Sequence, residues 1–97
     1  QQALDFLQQK QSNSPTVEDA QLTAEIYNLI GVTHYNSGQY PSAIVAFRQS
    51  LTHYANVSNR PADVALVGTN LGDAYRDTQQ FPQALESYQM ALAGYQK

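Results

Sequence analysis

An all-α fold of stacked antiparallel helix pairs, five helices in all, is predicted by three observations. The first is an internal repeat. The pattern Ile30-Gly31-x-x-His34, then Tyr40-Pro41-x-Ala43-Ile44-x-x-Phe47-x-x-Ser50-Leu51, returns 41 positions later. It reads there as Leu71-Gly72-x-x-Tyr75, then Phe81-Pro82-x-Ala84-Leu85-x-x-Tyr88-x-x-Ala91-Leu92. The second is that apolar residues recur at threes and fours, and no stretch alternates with period two for long enough to make a strand. The third is the punctuation, with a proline or glycine at every point where the helical period breaks. A period of this size marks units that bury their apolar faces against neighbours, which favours an extended binding surface over a catalytic pocket.

The elements follow in order. Residues 3–10 place Ala3, Leu4 and Leu7 on one face among good helix formers. Ser12-Asn13-Ser14-Pro15 ends that helix and starts the next, with Ser14 as N-cap, Pro15 at N1 and Glu18 and Asp19 in the first turn. A long helix then runs to Ser37, with Leu22, Ile26, Leu29, Ile30 and Thr33 as its apolar stripe, and Gly38 stops it. Pro41 opens a third helix with Ala43, Ile44, Phe47, Leu51 and Tyr54 on one face. Asn59-Arg60-Pro61 starts a fourth, carrying Val64, Val67, Leu71, Ala74 and Tyr75. Its closing turn has Gln79-Gln80 and lacks the glycine of the earlier turn. Pro82 opens the fifth, with Leu85, Tyr88, Leu92 and Tyr95 along it and no following helix to cover that face.

Gly31 and Gly72 stand mid-helix, where glycine costs about 1 kcal/mol relative to alanine. Taken twice at one place, that cost implies a close helix approach that excludes a Cβ, with Ala43 and Ala84 as the small residues on the facing helices.

Composition sets the remaining bounds. Apolar residues are 42% and charged residues 13% of the chain, so it is no disordered tail. The net charge is −3 and the five Lys and Arg are spread singly, which argues against a nucleic-acid partner. No apolar run reaches the ~18 residues of a membrane span. The chain has no cysteine, so thiol chemistry and Cys-based zinc sites are excluded, and the two histidines, 19 positions apart, have no ligand spacing around them. No phosphate-binding glycine loop or nucleophile constellation occurs, so neither an enzyme nor a cofactor is expected. Gln1-Gln2 at the start, with no leader-like segment, suggests a piece of a longer array and, by expectation, a cytoplasmic one.

Leu71-Gly72-x-x-Tyr75 to Ala91-Leu92 resembles the tetratricopeptide repeat, and Ile30 to Leu51 matches the same motif. The resemblance implies a right-handed superhelical solenoid and a single domain over 1–97. Residues 1–13 would be the second helix of a preceding repeat, with repeat one at 14–56 and repeat two at 57–97. The early Trp position of the family is Tyr27 and Gly68 here, and the late glycine, kept as Gly38, becomes Gln79. The long period places the chain with the long-helix variety of the family.

In this family the first helix of each pair lines a groove that takes a peptide or partner segment. The matching positions are Glu25, Asn28, Val32, Tyr35 and Asn36 in the first unit and Leu66, Thr69, Asp73, Arg76 and Asp77 in the second. The positions of the family's carboxylate clamp carry Asn28, Val32, Leu66 and Asn70, with no lysine, so no such clamp is expected; a groove holding Glu25, Asp73 and Asp77 beside only Arg76 is expected to accept a basic or neutral polar segment. Two other functions are open: a regulatory segment of a multidomain signalling protein, and self-association through the uncovered last helix, as in a homodimer.

Overall fold

The computed structural model describes residues 16–57 and 59–95, which form four α-helices and, among the described residues, no strand. They are α1 (Val17–Asn36), α2 (Tyr40–Tyr54), α3 (Pro61–Asp77) and α4 (Phe81–Tyr95). The helix predicted over 3–10 lies outside the described residues. So do Ser14 and Pro15, whose predicted starting role falls instead to Thr16. Its hydroxyl accepts from the Asp19 N–H at 3.1 Å while the Asp19 carboxylate accepts from the Thr16 N–H at 3.3 Å. This reciprocal capping box satisfies two of the donors a helix start leaves orphaned.

Each pair, α1–α2 and α3–α4, is joined by the same turn. After α1, the Gly38 N–H bonds Tyr35 O at 3.0 Å and the Gln39 N–H bonds His34 O at 2.8 Å, with Gly38 at φ +78°. After α3, the Gln79 N–H bonds Arg76 O at 2.9 Å and the Gln80 N–H bonds Tyr75 O at 2.8 Å, with Gln79 at φ +61°. Both are Schellman caps, and the second forces a side-chain-bearing residue into the left-handed region that glycine occupies freely. His34 Nδ1 pairs with Gln39 Oε1 at 2.9 Å across the first turn.

The mid-helix glycines are explained by aromatic rings. A Cβ on Gly31 would lie 2.5 Å from Phe47 Cδ1 and Cε1, and one on Gly72 would lie 2.6 Å from Tyr88 Cε1. The seam predicted between glycine and alanine is therefore a glycine–aromatic contact, with Ala43 and Ala84 buried one helical turn earlier on the same face. The core runs through α1, α2 and α3 and holds Ala24, Ala43, Ile44, Phe47, Tyr54, Val67, Leu71 and Ala74. The buried Ser50 hydroxyl donates to Ala24 O at 2.7 Å, tying α2 to α1.

Two expectations are corrected. The stripe Leu22, Ile26, Leu29, Ile30 and Thr33 is exposed, not buried. What α1 turns toward α2 is its small-residue side, Ala24 and Gly31, which leaves the apolar stripe on the outer edge. In α4, Leu85, Leu92 and Tyr95 are exposed as foreseen, but Tyr88 is not, because its ring lies over Gly72. The molecule measures 42 × 32 × 16 Å, and among the described residues the outer helices α1 and α4 have no helix packed on their far sides.

The two pairs differ at one matched place. Tyr27 stacks on His53 in the first pair, centroids 5.4 Å apart and planes at 11°. The positions 41 further on are Gly68 and Gly94, and there α4 closes directly on α3: a Cβ on Gly94 would meet Pro61 O at 2.8 Å.

Candidate functional site

The first helices of the two pairs, α1 and α3, are joined by polar side chains at a step of seven residues along α1. At one end Arg60 Nη2 donates to Gln21 Oε1 at 3.0 Å. Midway Asn70 Nδ2 donates to Asn28 Oδ1 at 3.1 Å. At the far end the Tyr35 hydroxyl donates to Asp77. Seven residues are close to two helical turns, so Gln21, Asn28 and Tyr35 share one face of α1. Asn28, Tyr35 and Asp77 of this ladder are among the residues predicted for the groove.

Beside it lies a hollow of about 200 Å³ lined by Val32, Tyr35, Asn36, Asn70 and Asp73, with Phe47 at its base. The Asp73 carboxylate accepts from the Tyr88 hydroxyl at 2.5 Å and lies 3.5 Å from Arg76 Nη1. Arg76 Nε also reaches Asp77 Oδ1 at 3.2 Å. The second pair thus ties its own seam to the groove, since Tyr88 packs its ring on Gly72 and its hydroxyl on Asp73.

Of the ten residues predicted for the groove, Val32, Tyr35, Asn36 and Asp73 meet at the hollow, Asn28 and Asp77 join them through the ladder, and Arg76 joins through its ion pairs with Asp73 and Asp77. Glu25 does not: it is exposed and accepts from Gln21 Nε2 at 3.2 Å. Leu66 is exposed and lines no part of the hollow. Thr69 bonds back to Ala65 O at 2.9 Å, within its own helix. Gln21, Arg60 and Asn70 belong to the ladder and were absent from the ten predicted groove residues; Gln21 stands seven residues before Asn28 and Asn70 seven before Asp77, whereas Arg60, at the start of α3, carries no such signal.

The ionisation states follow from the bonds. The Tyr35 hydrogen bond, and then Arg76, hold the Asp77 carboxyl below its ordinary range, so it stays charged. That same bond to Asp77, with partial burial, raises Tyr35. Burial and the bond to Asp73 push Tyr88 up to about 12. This face sets two acidic side chains, Asp73 and Asp77, against one basic one, Arg76.

A wider cleft of about 720 Å³ lies on the opposite side, between α2 and α4 over Leu71 and Tyr75, with Ile44, Leu51, Arg48 and Met90 on its walls. No group of three or more His, Asp or Glu among the described residues is placed to hold a metal ion. Nor is any helix among them long and apolar enough to cross a membrane.

Helix pairs nested through a mid-helix glycine, with polar side chains set along successive first helices, define a helical-repeat interaction module. Residues 22–97 match the family model described as tetratricopeptide repeat, and the chain belongs to that family. No curated protein and no solved structure matches it. Repeats of this family are in general protein–protein interaction modules.

Proposed function

We propose that the α1–α3 face binds an extended peptide segment, neutral or basic in character, by its backbone. The observation that carries this reading is the Asn28–Asn70 pair. Their mutual bond uses one donor of Asn70 and the carbonyl oxygen of Asn28. Both N–H groups of Asn28, the second N–H of Asn70 and the Asn70 carbonyl oxygen remain, donors and an acceptor of the kind that a peptide group requires. The adjacent hollow takes a side chain of that segment against Val32 and Phe47. Asp73 and Asp77 set its charge preference.

Stacking further pairs at the same step would extend this face along the concave side of a right-handed superhelix. It would add ladder rungs rather than new chemistry, so the module is read as a scaffold. The guest segment belongs to another protein or to another part of a longer signalling chain, and both present the same backbone groups.

The test is selection from a displayed random-peptide library, followed by titration of a selected peptide. Leaving a bound peptide group unpaired costs about 1–3 kcal/mol, roughly 5- to 150-fold in Kd. Asn28→Ala and Asn70→Leu are expected to weaken binding by that factor with helix content unchanged. Gln83→Ala, in the opposite cleft, is expected to leave it intact. Equal binding by Asn28→Ala and Asn70→Leu, with loss in Gln83→Ala, would overturn the assignment.

A further inference from the structure

The internal repeat makes it possible to ask what each exposed apolar residue does in the copy where it is covered. Between α2 and α3 the protein already makes one inter-pair contact, with Ile44, Leu51 and Tyr54 facing Val67, Leu71 and Ala74. Shifted by 41 positions, the α2 set becomes Leu85, Leu92 and Tyr95 on α4, and the α3 set becomes Ile26, Ile30 and Thr33 on α1. Ile44 and Tyr54 are 8% and 4% exposed, whereas Leu85 and Tyr95 are 59% and 58%. Val67 and Leu71 are 1% and 5% exposed, whereas Ile26 and Ile30 are 48% and 40%. The two edges of the slab are thus the two halves of an interface that the chain makes once internally.

We propose that these edges dock on one another between copies, the α4 stripe of one molecule seating on the α1 stripe of the next as α2 seats on α3. The contact continues an interface already established within the chain. Both stripes are free of charged residues. The Thr33 hydroxyl already donates to Leu29 O at 2.9 Å, so its burial leaves no donor unmatched. Because the two patches differ, the contact is heterologous: it does not close as a two-fold dimer but grows head to tail. A few side chains on each edge make an interface at the small end of the specific range, so association is concentration-dependent.

Sedimentation velocity of the 97-residue chain from low micromolar to millimolar concentration tests this. The sedimentation coefficient is expected to rise steadily without a plateau at dimer. Ile30→Asp and Leu92→Asp, both surface changes whose folding is checked by circular dichroism, are each expected to give monomer alone. Mixed in equal amounts, they are expected to form a one-to-one dimer that grows no further, since each retains the edge the other has lost. Monomer at every concentration would overturn the proposal. So would self-dimers of Ile30→Asp, which would mean that α4 pairs with itself. Association seen only after removal of residues 1–13 would do the same, by showing that this segment covers the α1 edge.

Discussion

Replacing Gly31 by alanine sets two effects of known and opposite sign against each other. In an exposed helix interior the change stabilises by about 1 kcal/mol, because glycine has more backbone freedom to lose on folding. Here the new methyl would fall 2.5 Å from two atoms of the Phe47 ring and 3.0 Å from a third. Phe47 is among the largest fully buried side chains and sits inside the core, so the ring has nowhere to go. Forcing an extra carbon into such a contact costs about 1–3 kcal/mol, and the immobile ring points to the upper half of that range. The net is a loss of about 1–2 kcal/mol, or roughly 5–15 °C in Tm for a domain of this size. Gly72→Ala meets a softer neighbour, since Tyr88 is half-buried at an edge and can swing outward if it gives up its bond to Asp73. Its loss is expected to be smaller. Urea unfolding followed by circular dichroism measures both, and combining Gly31→Ala with Phe47→Leu is expected to recover part of the loss through coupling of the two sites. If Gly31→Ala proved more stable than the parent, the close approach would not exist and the reason given for both glycines would fail.

Other outcomes follow from single contacts. Gln79→Gly relieves a left-handed residue in the second cap and is expected to stabilise by about 1 kcal/mol, while Gly38→Ala at the matching place is expected to lose about as much; thermal melts check both. Thr16→Ala removes the capping box and is expected to cost about 1 kcal/mol, read as fraying of α1 by hydrogen exchange. Because the Tyr88 pKa is raised to about 12, its bond to Asp73 is fully present below the ordinary tyrosine range and is lost as pH rises through that value. Tyr88→Phe is therefore expected to delete the highest-pH step of the phenolate absorbance titration. Asp77 is shifted the other way, so its bridge to Tyr35 is present above the ordinary carboxylate pKa of 3.8 and is lost as pH falls through a lower value. Asp77→Asn is expected to flatten that acid limb of the stability curve.

What could be read from the chain was whatever is decided within one helix or one turn. Pro41, Pro61 and Pro82 fall in the first turns of their helices as predicted, and Gly38 caps α1 as its position required. The α2 and α3 faces were legible because their apolar residues face one another. The α1 stripe was misread for a physical reason: periodicity shows that a face is apolar, not that a neighbour covers it. Leu22, Ile26 and Ile30 have the pattern of core residues and the exposure of an edge. The polar ladder was half legible. Asn28, Tyr35 and Asp77 were named as groove residues, but their bonds depend on how α1 and α3 slide past each other, which no single helix encodes. The Tyr27–His53 stack and its replacement by Gly68 and Gly94 were hidden for the same reason, being a covariation across the 41-residue step.

The measurement that bears most directly on the first-helix face as a peptide groove is a two-dimensional amide NMR titration with a peptide selected from the library. The side-chain amides of Asn28, Asn36 and Asn70 and the backbone of Asp73 should move together, in proportion to occupancy. Shifts confined to Arg48, Gln83, Glu86 and Met90, on the walls of the α2–α4 cleft, would place the guest on the opposite side and contradict the groove.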